Sequence, residues 1–131
     1  MAEGMLKEKF IRAYRKSEVV FEESSTGNEM YIICSGRVKL YTQPRTGRKT
    51  VLATLKPGEH FGEMALVDDS PRSATAIAEE DDTRLVVLDR AKFLYLVQQQ
   101  PEFAFAMMET LCQRIREANL LLAQAGAYQQ P

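Results

Sequence analysis

Residues 61–76 read Phe61-Gly-Glu-Met-Ala-Leu-Val-Asp-Asp-Ser-Pro-Arg-Ser-Ala-Thr-Ala76. A glycine opens a short apolar turn, a carboxylate follows at Glu63, and an arginine stands nine positions later at Arg72. These residue types in this order can grip a small sugar phosphate. The Arg72 guanidinium offers a planar fork of donors matched to phosphate oxygens. Backbone N–H groups opening the Glu63-Met64-Ala65-Leu66 turn lack an intrahelical partner and can point at the same anion. Glu63, acceptor-only when ionised, suits a ribose hydroxyl. Gly62 lets the backbone approach a ligand with no Cβ in the way. Pro71 stiffens the chain before Arg72 and removes one competing donor. The competing reading is a Glu63–Arg72 ion pair inside an unliganded scaffold, but such a pair has no need of Gly62, Ala65 and Ala74 beside it.

Outward from this stretch, the first two-thirds of the chain reads as short strands separated by turn signals, the pattern of a sandwich or barrel. Phe10, Ile11, Ala13 and Tyr14 form a first strand or the end of a short helix, and Val19-Val20-Phe21 a second. Tyr31 to Ser35 and Arg37 to Thr42 flank Gly36, with Val38 and Leu40 alternating in the latter. Proline and glycine at Pro44 and Gly47 make residues 43–48 a hairpin tip. Val51 to Leu55 returns, Lys56-Pro57-Gly58 turns, and Ala74 to Ala78 with Leu85 to Leu88 closes the β region.

After Asp89 the period changes. Asp89 is placed to cap a helix through residues 91–97. Pro101 suits the first turn of a second helix, where its missing N–H costs nothing. That helix is expected over about residues 101–125 and stops at Gly126, with a loose tail at residues 127–131. Along it Ala104, Met108, Leu111, Ile115, Ala118, Leu122 and Ala125 recur at steps of four and three, the a/d seam of a coiled coil. A second stripe, Phe105, Cys112, Leu120 and Leu121 with Met107 nearby, is expected to face the barrel. A helix apolar on two sides argues for a homodimer; the plainer alternative is one wide core face.

The 61–76 stretch resembles the phosphate-binding cassette of the cyclic nucleotide-binding domain, a family that includes bacterial catabolite activators, protein kinase A regulatory subunits and cyclic-nucleotide-gated channels. The resemblance continues through residues 21–38, through Leu55-Lys-Pro-Gly-Glu-His-Phe-Gly-Glu63, through Leu85-Val-Val-Leu-Asp-Arg90 and the long helix, covering about residues 9–125. It implies a mainly β domain with C-terminal helices, spanning residues 1–131. An eight-stranded jelly-roll β-barrel (a double-stranded β-helix) would fill about 9–89, and a short and a long helix about 90–125. It also implies that Glu63 holds the ribose 2′-hydroxyl and Arg72 the cyclic phosphate, with Gly62, Met64, Ala65, Ser73 and Ala74 around the ligand. Asn119 would reach the base, being able both to donate and to accept; otherwise it is an ordinary exposed asparagine. The Glu63-to-Arg72 spacing and Pro71-Arg72 lie closer to the kinase regulators, whereas Ser73 matches the catabolite activators. Channel-type domains favouring cyclic GMP often carry threonine there, so Ser73 leans toward cyclic AMP. Ser17 and Ser24 stand where the family usually has glycine, in turns expected to lie away from the cassette.

The 131 residues suit one domain, able to bury roughly two-thirds of its unfolded surface. The net charge of −1 provides no general field for nucleic acid or membrane. The early basic run Lys7, Lys9, Arg12, Arg15 and Lys16 reads as a solvated strand face, or less plainly as a docking surface. Cys34 and Cys112 form no Cys-x-x-Cys pair and read as buried or half-buried reduced thiols of a cytoplasmic protein. No signal peptide or membrane-spanning run is visible. Metal-dependent enzymes on a similar jelly roll need two or three histidines and a carboxylate. This chain has one histidine, His60, expected in a loop or strand near the cassette entrance, so neither a metal site nor an enzyme is expected. Six residues beyond the expected helix end leave no room for a DNA-reading module. The expectation is therefore a non-catalytic sensor of a 3′,5′-cyclic mononucleotide, cyclic AMP before cyclic GMP, with no other cofactor, relaying occupancy through the terminal helix to an unidentified protein. The alternatives are a nucleotide-independent interaction module and the sensor portion of a longer transcription regulator.

Overall fold

Two runs of apolar residues, Met30-Tyr31-Ile32-Ile33 and Leu85-Val86-Val87-Leu88, place side chains on alternate faces of neighbouring strands and bury both faces. In the computed structural model, which describes residues 10–126, they lie at the centre of the first of two sheets. The strands are β1 Ile11–Tyr14, β2 Val19–Phe21, β3 Glu29–Ser35, β4 Val38–Thr42, β5 Thr50–Leu55, β6 His60–Phe61, β7 Thr75–Ala78 and β8 Thr83–Asp89. The helices are α1 Glu63–Asp68, α2 Arg90–Gln99 and α3 Pro101–Gln124.

The strands form two four-stranded antiparallel sheets, ordered β1-β8-β3-β6 and β2-β7-β4-β5. Eight strands followed by C-terminal helices agree with the sequence. The closed barrel does not: the ladders are two separate sheets, each with its own edge strands. Two-residue β6, paired to β3 through Tyr31–Phe61 and Ile32–His60, is too short to show an alternating pattern in the sequence.

Tyr31, Ile33, Leu85 and Val87 point between the sheets, meeting Tyr14, Val38, Leu55, Phe61, Ala76 and Ala78. Met30, Val86 and Leu88 point the other way and meet Leu66, Leu96 and Met107 of the three helices, with Phe93 and Phe103 alongside. Full burial of such a side chain contributes about 1.5–3 kcal/mol. The helix signals are where the sequence puts them. The Asp89 carboxylate accepts from the Lys92 backbone N–H at 2.9 Å, Pro101 opens α3, and Gly126 follows the helix end with φ of 72°.

Three expectations about side-chain placement are corrected. Cys34 and Cys112 are both exposed. Cys34 lies near the end of β3, where the register with β8 slips between Ile33 and Ser35. Of the stripe expected to face the sheets, Met107 does so, whereas Phe105, Leu120 and Leu121 are exposed; Phe103 packs beside Met107. Arg12, Arg15 and Lys16 are solvated as expected, whereas Lys7, Lys9 and the tail at 127–131 lie outside the described residues.

Candidate functional site

The cassette closes over the mouth between the sheets, on a floor of three aromatic rings. Tyr31 and Phe61 stack with centroids 5.1 Å apart, and Phe21 tilts against both. Arg72 lies on this floor, its guanidinium carbon 4.1 Å from the Phe21 ring centroid. It is 5% exposed. Its Nη1 donates to the Gly62 carbonyl at 3.0 Å, and its Nε is buried without a partner among the described residues. No carboxylate pairs with it among those residues. The result is a buried cation held by a carbonyl and an aromatic face, with donor capacity to spare. Such an arrangement is costly unless an anion completes it.

The backbone around Arg72 leaves little room. A Cβ on Gly27 would stand 2.6 Å from Nη2, and one on Gly62 would stand 3.0 Å from Nη1. Gly62 also adopts φ of 82°, a left-handed conformation open to glycine. It precedes α1, whose N-cap position, being glycine, supplies no side-chain cap; of the opening amides, that of Glu63 is engaged by its own carboxylate. Ala65 and Leu66 are buried beneath that turn, and Met64 is exposed.

Glu63 does not pair with Arg72. Its Oε1 accepts from His60 Nδ1 at 3.0 Å, and its Oε2 lies 3.9 Å from Arg114 Nη1. Burial alone would raise this carboxyl. The hydrogen bonds from His60 and from its own backbone amide, with the electrostatic influence of His60 and Arg114, outweigh burial and hold it below the ordinary carboxylate range. Glu63 is thus kept ionised and acceptor-only. The ion pair that would have closed an unliganded scaffold is absent, and the two charges stand apart on one hollow.

That hollow has a volume of about 530 Å³, within the range of small-molecule sites. Gly62, Glu63, Met64, Ala65, Arg72, Ser73 and Ala74 all line it, with Pro71 beside them. Phe21, Leu40 and Phe61 line its aromatic and aliphatic part, and Leu111, Arg114, Ile115 and Ala118 of α3 form its other wall. Three residues of the expected dimer seam, Leu111, Ile115 and Ala118, line the rim of the hollow, yet Ile115 and Ala118 are exposed, as are Met108 and Leu122. Asn119 is exposed and is not among the lining residues.

Sequence reasoning missed Arg114, Gly27 and the role of His60. Arg114 reaches back from α3 to donate Nη2 to the His60 carbonyl at 2.7 Å. His60 is a buried strand residue. A basic residue one position before Ile115 in the seam was the available sign that α3 carries a charge toward the cassette. The turn at Ser24 is also corrected. It does not lie away from the site: the Ser24 N–H donates to the Arg72 carbonyl and the Arg72 N–H to the Ser25 carbonyl, each at 2.8 Å. Ser17 and Ser24, placed where the resemblance leads one to expect glycine, both adopt the left-handed conformation, with φ of 74° and 72°. Among the described residues no cluster of three or more histidines, cysteines and carboxylates could hold a metal, and no helix is long and apolar enough to cross a membrane.

Comparison with known proteins gives the same assignment. Residues 11–100 match the cyclic nucleotide-binding domain family. The cyclic AMP receptor protein of Thermus thermophilus is 40% identical over 111 residues, covering 85% of this chain and 51% of that protein. Human cGMP-dependent protein kinase 2 is 39% identical over 85 residues, covering 63% of this chain and 11% of the kinase. The crystal structure of the Thermus thermophilus catabolite activator protein superposes with a TM-score of 0.80 at 38% identity, covering 88% of this chain and 54% of that one. The chain thus spans about half the length of these Thermus relatives. With the cassette, the aromatic floor and the α3 wall in place, the chain belongs to the cyclic nucleotide-binding domain family.

Proposed function

We propose that this chain is a non-catalytic sensor that binds a 3′,5′-cyclic mononucleotide in the 530 Å³ hollow and relays occupancy through α3. The observation that carries the reading is the buried Arg72 guanidinium, underemployed by the protein and placed on the same hollow as an ionised Glu63. A cyclic phosphate supplies the missing anion, and the adjoining ribose brings a hydroxyl to the carboxylate. The strand orders, in which each sheet interleaves early and late strands, support a jelly-roll description of the scaffold.

Cyclic AMP is favoured over cyclic GMP, because Ser73 rather than threonine follows Arg72 and because the Thermus relative is a cyclic AMP receptor. The human kinase relative depends on cyclic GMP, so competition between the two nucleotides for one labelled analogue is the deciding experiment. Stronger displacement by cyclic GMP would reverse the preference. Displacement by neither would leave the interaction module as the better account.

The relay follows from what touches the cassette. Leu66 of α1 packs in one cluster with Leu96 of α2 and Met107 of α3. Arg90 donates to the Leu66 carbonyl at 2.8 Å, and Arg114 joins α3 to Glu63 and His60. A ligand that binds one arrangement of these helices better than another shifts their populations. The output element is α3, which exposes Phe105, Met108, Ile115, Leu120, Leu121 and Leu122 on more than one of its faces; exposed apolar side chains of this kind support pairing with a second copy. Asn119, exposed on the same helix, remains the proposed contact for the base, able both to donate and to accept. Sedimentation of the native chain against Met108→Glu tests the pairing: a native dimer that the substitution splits supports it, and a native monomer at high concentration refutes it.

A further inference from the structure

His60 occupies a buried place on β6, where an aliphatic or aromatic side chain would fill the space with no polar atom to satisfy. Its Nδ1 lies 3.0 Å from Glu63 Oε1. A carboxylate can only accept, so Nδ1 carries the proton and donates. The other ring nitrogen, Nε2, is buried with no partner among the described residues. Leaving a buried polar atom unpaired is unfavourable, so histidine is a poor choice here for packing alone. What it adds over an apolar residue is the Nδ1–H bond to Glu63.

That bond divides the two oxygens of the carboxylate. Oε1 is occupied by His60 at hydrogen-bond distance, whereas the nearest side-chain cation to Oε2, Arg114, stands 3.9 Å away, beyond hydrogen-bond reach. With Oε1 tied to β6, Glu63 is held in one rotamer and Oε2 is the oxygen with acceptor capacity left for a ligand. We infer that His60 is a positioning residue, fixing Glu63 through Oε1 so that Oε2 meets a ribose hydroxyl and the site distinguishes ribose from 2′-deoxyribose. This rests on the proposed function, since it presumes a ribose in the hollow.

The test compares affinities for cyclic AMP and 2′-deoxy cyclic AMP in the native chain, in His60→Phe and His60→Leu, and in His60→Asn, whose side-chain amide can restore an N–H near the Nδ1 position. The ratio of the two affinities should fall by about tenfold in the apolar variants, mainly through weaker cyclic AMP binding. It should stay within about threefold of native in His60→Asn. A folded apolar variant with the native ratio would overturn the inference. So would His60→Asn behaving like His60→Phe, because the ring and not its N–H would then matter. Titration of the Glu63 carboxyl by carbon NMR in nucleotide-free protein reads the same contact without a ligand. It should move upward in His60→Phe and return in His60→Asn, and an unmoved carboxyl would refute the positioning role. Failure of the native chain to bind cyclic AMP, 2′-deoxy cyclic AMP or cyclic GMP would refute the proposed function, and this titration would still judge the contact between His60 and Glu63.

Discussion

Arg72→Ala should separate binding from stability. In the nucleotide-free protein, Arg72 contributes one hydrogen bond to the Gly62 carbonyl and a contact with the Phe21 ring. A charged hydrogen bond of that kind is worth about 1.5–3 kcal/mol, and the cation–ring contact about 0.5–2 kcal/mol. Against them stands the desolvation of a guanidinium that is 5% exposed, which costs several kcal/mol. The terms nearly cancel, so truncation should change the stability of the empty protein by no more than about 1–2 kcal/mol. Leu96→Ala, in the core beneath the helices, should cost about 2–5 kcal/mol. Binding should behave oppositely. Truncating one partner of a buried, hydrogen-bonded charge pair costs about 2–5 kcal/mol, so cyclic AMP affinity should fall at least about thirtyfold. Urea denaturation with and without nucleotide reads both quantities. At about one hundred times its dissociation constant the nucleotide should stabilise the native chain by about 2.7 kcal/mol, and at that concentration Arg72→Ala should gain no more than about 0.9 kcal/mol. A folded Arg72→Ala protein with native nucleotide stabilisation would refute the reasoning. So would one that loses stability as Leu96→Ala does.

Gly27→Ala places a methyl 2.6 Å from Arg72 Nη2; it should displace the guanidinium and weaken nucleotide binding about tenfold or more with little change in the urea midpoint of the empty protein, as calorimetry and denaturation will read. Glu63 is held below the ordinary carboxylate range, so its contribution to stability is complete above about pH 4.3 and is lost as pH falls through its lowered folded value. In Glu63→Gln the acid limb of the stability profile should accordingly be shallower; an identical limb in both proteins would refute this. Ser17→Gly and Ser24→Gly relieve left-handed backbone at residues with a Cβ; each should stabilise the chain by up to about 1 kcal/mol in thermal denaturation, and destabilisation by either would contradict the backbone argument.

The cassette was legible because it is contiguous: a turn, a carboxylate and an arginine within sixteen residues need only local geometry to share one hollow. Asp89 and Pro101 were legible for the same reason, since caps act within one helical turn. What the sequence hid depends on contacts between distant segments. Arg114 meets the His60 carbonyl across 54 positions, and the Ser24 turn meets the Arg72 backbone through hydrogen bonds between elements that alternation does not describe. In α3, apolar residues occupy several faces, and period alone does not say which face the sheets will take. Phe103 and Met107 took it, three seam residues took the hollow, and Phe105, Leu120 and Leu121 were left outside. Cys34 follows Met30 and Ile32 on the helix-facing side of β3 yet is exposed at the strand's end, where the register with β8 slips.

The most direct test is a crystal structure of the chain grown with saturating cyclic AMP, read as distances from Arg72 and Glu63 to the nucleotide. The account predicts both exocyclic or ring phosphate oxygens within hydrogen-bond reach of the Arg72 guanidinium or the opening amides of α1, and the ribose 2′-hydroxyl on Glu63 Oε2. Nucleotide bound elsewhere, or an empty hollow with Arg72 still donating only to the Gly62 carbonyl, would contradict it.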